Sequence, residues 1–146
     1  MNLPEYVPLS DVQKSCRDLG ISDWTQLSSP EVTLEEARIV QKAIGAEAAE
    51  VSPEQFRRGL EIELEHGLQF SDANVSNNHP LLTGRIVLAH LKEMLDYYLR
   101  LEVAELEGDM LKAHIAGNDE KLASLYVRLV AARSELAQAE QAALEA

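Results

Sequence analysis

Two short stretches of this chain each place an imidazole and a carboxylate three residues apart. One is Glu63-Leu64-Glu65-His66 and the other is His90-Leu91-Lys92-Glu93. On a helix, side chains at that spacing share one face. Two such helices packed together could therefore bring Glu63, His66, His90 and Glu93 to one point. Imidazole nitrogen with carboxylate oxygen is a ligand set for iron, manganese or zinc. Glu-x-x-His is also the motif that di-metal carboxylate bundles repeat on facing helices. Here one copy runs in that order and the other is reversed. A full di-metal site needs further carboxylates, and Asp96, Glu102 or a symmetry-related chain could supply them. His79 is an additional ligand candidate, although its place before Pro80 makes it first a helix cap. The expectation is a divalent-metal site, with no organic cofactor and no catalytic residue assigned.

The same residues admit two other roles. Ionisable groups on core faces are costly unless they pair with each other or hold a metal. Glu63–His90 and His66–Glu93 could therefore be buried ion pairs that set helix register in a structural module. A His-Glu pair can also move protons in an enzyme, but that needs a cavity open to solvent.

The elements that must position these groups can be read from start and stop signals. Ser10 is placed to cap a short helix ending near Leu19, with Gly20 following it. Asp23–Leu27 reads as one further turn around a core Trp24. Thr33-Leu34-Glu35-Glu36 is a capping box, and Gly45 stops the helix it starts. Ser52-Pro53-Glu54-Gln55 opens the next helix, expected from about Pro53 to about Gln69. Phe56, Leu60, Glu63 and Gly67 form its inward stripe with His66 beside it, while Glu61 and Glu65 point to solvent. Residues 71–79 are an Asx- and Ser-rich loop whose side chains can bond their own backbone. Pro80 begins a helix with no evident stop before Ala116, whose apolar face runs Ile86, Val87, His90, Met94, Tyr97 and Leu101. If the two site helices run antiparallel, Glu63 lies about 10 Å and His90 about 15 Å from the loop, so their heights roughly match. Gly59 and Gly67 would allow the close approach.

Beyond Gly117, with Asp119 as the expected cap, Leu122, Leu125, Leu129, Ala132, Leu136, Ala139 and Ala143 repeat at 3-4 spacing. Leu95, Leu99, Val103, Leu106 and Met110 offer a matching stripe. Together they predict an antiparallel helical hairpin or half of an intermolecular coiled coil. No alternating run suggests a strand. The fold class is all-α: a small helical bundle (residues 1–103) with a long C-terminal hairpin (residues 104–146) extending the same domain.

Composition narrows the partners. The chain has 146 residues, enough for one domain that buries roughly two-thirds of its unfolded surface. Twenty-five acidic residues against thirteen basic ones leave a net charge of −12. That field repels phosphate backbones and anionic lipid, so nucleic acid and membrane surfaces are poor partners. Metal cations or basic protein surfaces suit it better, and the C-terminal helix is expected to meet a second copy or a partner protein. The single cysteine, Cys16, fits a reducing compartment and a small apolar role. The N-terminus lacks signal-peptide character and no segment has the apolar length of a span, so a cytoplasmic protein is expected.

The stretch from Phe56 to Gly67 resembles the start of an uncharacterised domain family of bacteria and their phages. So does Asn74-Val75-Ser76-Asn77-Asn78-His79-Pro80, followed by Thr83 to Glu93 and by Asp96-Tyr97-Tyr98. The family's E-x-E-H-G, H-L-x-E and D-Y-Y signatures occur here in that order, over roughly residues 31–102. The resemblance points to the same His and Glu residues and implies no reaction. This chain has His79 where the family is usually acidic. It also has Leu95 where many members carry proline before Asp-Tyr-Tyr, which lets the helix run on.

Overall fold

The computed structural model describes residues 7–46 and 51–146. Among them the chain is all helical, with no strand. Six α-helices follow in order: α1 (Leu9–Leu19), α2 (Leu34–Ala43), α3 (Pro53–Gln69), α4 (Pro80–Glu93), α5 (Tyr97–Ile115) and α6 (Asp119–Glu145). Short 3₁₀ turns at Trp24–Gln26 and Ser71–Ala73 interrupt the connections. None of these helices is long and apolar enough to cross a membrane. The chain divides into two compact units, Met1–Lys92 and Glu93–Ala146.

In the first unit, both predicted capping boxes form. The Thr33 hydroxyl accepts the Glu36 N–H, and the Glu36 carboxylate accepts the Thr33 N–H. Ser52 and Gln55 do the same at α3, with Pro53 as its first residue. Each box satisfies two backbone donors that a helix start would otherwise leave open. Gly20 and Gly45 adopt the left-handed φ values, +71° and +73°, that end α1 and α2. The cap of α1 differs from expectation. Pro8 precedes the helix without a side-chain cap, and Ser10 lies inside the first turn. Val12, Cys16, Trp24, Val40, Phe56, Leu60 and Leu64 are essentially inaccessible and form the core. Burial also pushes the Cys16 thiol up, which suits an inert apolar residue.

The second unit is the antiparallel hairpin expected from the 3-4 repeats. Leu106, Ala113, Leu125, Leu129 and Ala132 make its core, with Val103, Met110 and Leu122 packed against them. Arg100 reaches Glu140 at 2.7 Å and Arg133 reaches Glu107, pairings only an antiparallel arrangement allows. The repeat outlasts the core: Ala143 is exposed and Leu136 half-buried. Asn118 caps α6 by accepting the Lys121 N–H, and not Asp119, which is the first helical residue.

The long helix expected from Pro80 to Ala116 is broken. Met94, Leu95 and Asp96 form a turn closed by Tyr97 N–H to Met94 O at 3.1 Å. No proline or glycine marks it, and Asp96 precedes α5 without a side-chain cap bond. Its carboxylate stands at the start of α5, where negative charge is favoured, and holds the Arg100 guanidinium through two bonds of 3.0 and 2.7 Å.

Candidate functional site

Helix α3 buries Phe56, Gly59, Leu60 and Leu64 along one stripe. Glu63 and His66 lie on its flank, half-buried, and Glu65 is exposed as expected. Glu61 is not a solvated residue. It accepts the Val32 N–H at 3.2 Å and the Arg57 guanidinium at 3.0 Å, tying the segment before α2 to α3. On α4 the buried stripe is Pro80, Thr83, Gly84, Val87 and Leu91. His90 and Ile86, expected within the apolar face, lie at its edge, and Ile86 is 40% exposed.

One of the expected cross-helix pairs forms. His90 Nε2 stands 3.6 Å from Glu63 Oε1, with side chains 31% and 18% exposed. This is beyond a hydrogen bond yet within ion-pair reach. An added Cβ at Gly84 would stand 3.4 Å from the tip of the Phe56 ring, and His90 meets Glu63, so α4 touches α3 through both stretches. Gly84 lets α4 come close to α2, because an added Cβ would stand 2.8 Å from Val40 Cγ1. Gly67, expected to allow approach of the partner helix, is approached by the loop.

That loop is held against α3 by side chains. Asn74 Nδ2 donates to the Gly67 carbonyl at 3.2 Å and to Asn78 Oδ1 at 2.9 Å. A Cβ on Gly67 would collide with both asparagines. Asn77 and Asn78 adopt left-handed φ values of 47° and 60°, a region that Asn tolerates better than most residues. Asn77 Nδ2 also donates to the Val7 carbonyl at 2.6 Å. These asparagines reach beyond their own turn, a role that reading the loop as locally bonded had missed. Their density over five positions was the available signal.

His79 ends the loop. Its Nδ1 accepts the Leu81 N–H at 3.3 Å, capping α4 as expected. Its Nε2 is 2.8 Å from Ser15 Oγ on α1. Because Nδ1 is the acceptor, the neutral ring carries its proton on Nε2 and donates it to Ser15. A base that activates serine needs the opposite polarity. The pair is therefore a cross-link between α1 and the start of α4.

The outcome is an open cavity of about 260 Å³ bounded by α3, the 70–79 loop and α4. Glu63 and His66 stand in its wall with Ser76, and Phe70, Val75 and Ile86 surround its mouth. The other sequence-selected residues belong to the second unit, where Glu93 is exposed, Glu102 half-buried and Asp96 engaged by Arg100. Among the described residues, no three or more His, Cys, Asp or Glu side chains gather closely enough to hold a metal ion.

The fold and site define an all-α protein with an open cavity in its N-terminal unit. The model of the family described as "Protein of unknown function (DUF5661)" matches residues 12–107, and the chain belongs to that family. The match takes in the whole cavity and ends within α5. No curated protein and no solved structure matches the chain.

Two predictions test this construction. Gly→Ala inside a helix ordinarily stabilises by about 1 kcal/mol. Gly67→Ala is instead expected to lose about 1–3 kcal/mol in urea unfolding, because the Asn74–Asn78 clamp must move; a gain would show that the clamp yields. For His79, burial is the largest cause that pushes the ring below the ordinary imidazole range, with the Asp11 carboxylate opposing it. The unfolded chain thus takes up the proton first. Stability from this group is full above about pH 6.5 and is lost as pH falls through the lowered folded value. Urea midpoints between pH 8 and 5 should fall less steeply in His79→Asn, and identical slopes would remove the assignment.

Proposed function

We propose that this protein is a binding module whose working site is the cavity bounded by α3, the 70–79 loop and α4. One observation carries the reading: Glu63, paired with His90, shares the wall of a solvent-open cavity with His66. An ion pair that served only to set helix register needs no such space beside it. Binding sites are typically concave and apolar with a few convergent polar groups, as here. Proton transfer to or from a bound molecule is chemistry this wall could also perform, with an imidazole and a carboxylate as carriers.

A divalent metal (iron, manganese or zinc) is the second occupant to consider. Glu63 and His90 are donors of the right kind, and His66 lies in the same wall. Catalytic metal sites use about three protein ligands. Loading therefore needs His66 to turn toward the pair, or His79 to contribute.

A separate observation favours assembly as an additional role. Tyr126, Val127 and Val130 are 57%, 70% and 52% exposed, on the far side of α6 from buried Leu125 and Leu129. A second copy or a partner protein would cover them.

The cavity reading is tested by a fragment screen observed through the protein's amide resonances. Hits should perturb residues 63–67, 70–76 and 83–90 and vanish in Val75→Trp, which fills the mouth without disturbing the core. Hits that persist in that variant would discard the reading. Loading with Fe(II), Mn(II) or Zn(II) separates the occupants: about one metal per chain, lost in His66→Ala, makes this a metal site, and under about a tenth removes the metal. For assembly, the solution mass should be a multiple of the 16.2 kDa chain and drop to it in Val130→Glu. A wild-type monomer would end that reading.

A further inference from the structure

The cavity beside Glu63 has a chemical bias that the binding reading alone does not state. Among its described lining residues, Glu63 is the sole carboxylate, and neither lysine nor arginine is present. With a net charge of −12 on the whole chain, an anionic ligand meets repulsion at long range and no fixed cation at short range. A cation meets attraction at both. A carboxylate accepts up to about four hydrogen bonds, so it can serve more than one donor. The Ser76 and Thr83 hydroxyls add acceptors in the same wall.

The mouth is of the opposite character. Phe70, Val75 and Ile86 are 50%, 65% and 40% exposed and all face this one cavity. Large apolar side chains grouped around a concavity point to a partner with an apolar body. The face of the Phe70 ring also attracts positive charge. The volume of about 260 Å³ equals roughly nine water molecules of liquid at about 30 Å³ each. That accommodates a ligand, or the inserted end of one, of about ten non-hydrogen atoms.

We propose that the cavity takes a small organic cation: a primary amine with a short aromatic or aliphatic body. The ammonium group sits on the Glu63 carboxylate, and the body lies between Phe70, Val75 and Ile86. This rests on the cavity being the working site. It adds the ligand class.

Three compounds of one shape separate charge from shape: benzylamine, benzyl alcohol and benzoate. They are titrated into the full chain at pH 8, above the ordinary imidazole range, and followed by amide resonances. Benzylamine is expected to bind at least about tenfold more tightly than benzyl alcohol, with benzoate weakest. The shifts should centre on Glu63, Val75 and Ile86. Raising salt from about 0.05 to about 0.5 M should weaken the amine and leave the alcohol unchanged. Glu63→Gln should bring the amine down to the alcohol's affinity. If amine and alcohol bind equally at the cavity, the cationic class is overturned while the binding reading stands. If none of the three perturbs those amides, both fall. The comparison of compounds and the salt series use the unmodified protein, so they decide the matter even where Glu63→Gln does not fold.

Discussion

The structure around the cavity depends on a backbone approach that only a residue without a side chain allows. At Gly67 the last turns of α3 accept the loop directly. Asn74 bonds to the Gly67 carbonyl and to Asn78, and a single methyl group at Gly67 would occupy the space both asparagines use. With the loop held there, Asn77 and Asn78 take the left-handed turn that delivers His79 to the start of α4. His79 then caps Leu81 and reaches Ser15, which ties the start of α4 to α1. The cavity is the space left between α3, α4 and the loop.

The placement of α4 beside α3 also determines which charges meet. Glu63 and His90 come within ion-pair reach at the edge of the two buried stripes, where water still attends them. This placement avoids most of the desolvation that a fully buried pair incurs. It also limits what the pair contributes to stability, because solvent screens partly exposed charges. The cohesion of the first unit comes from Phe56, Leu60, Leu64, Val40 and Trp24, which are out of water. The hairpin of the second unit has its own smaller core of Leu106, Ala113, Leu125, Leu129 and Ala132.

Much of this was legible before any coordinates. Both capping boxes, Pro53 as a first helical residue, the αL glycines at 20, 45 and 117, and the hairpin with its turn are local signals that local chemistry obeys. The Glu63–His90 pair was among the roles weighed from the sequence, which put both residues on apolar faces; the structure sets them at the edges of those faces. Other features were hidden for physical reasons. Glu61 looked solvent-directed by helical phase, but its bond to Val32 depends on where the segment before α2 passes. The break at Met94–Asp96 has no proline or glycine, and Asp96 is recognisable as a helix start only once Arg100 is seen to hold it. Asn74 and Asn78 looked like residues bonded within their own turn, because nothing in their spacing shows that Gly67 lies opposite.

By itself, then, the sequence determined the helices, most of their ends, the all-α class and the short list of groups able to do chemistry. Those properties follow from interactions between residues a few positions apart, and such residues are neighbours whatever the fold. Only the tertiary structure decided which listed groups stand together and whether space lies beside them. That outcome turns on where the loop and α4 sit against the rest of the unit, which is set by contacts between residues distant in the chain: Gly67 with Asn78, Gly84 with Val40 and Ser15 with His79. Helical periodicity carries no record of such contacts, and they decide whether a candidate cluster has open space beside it.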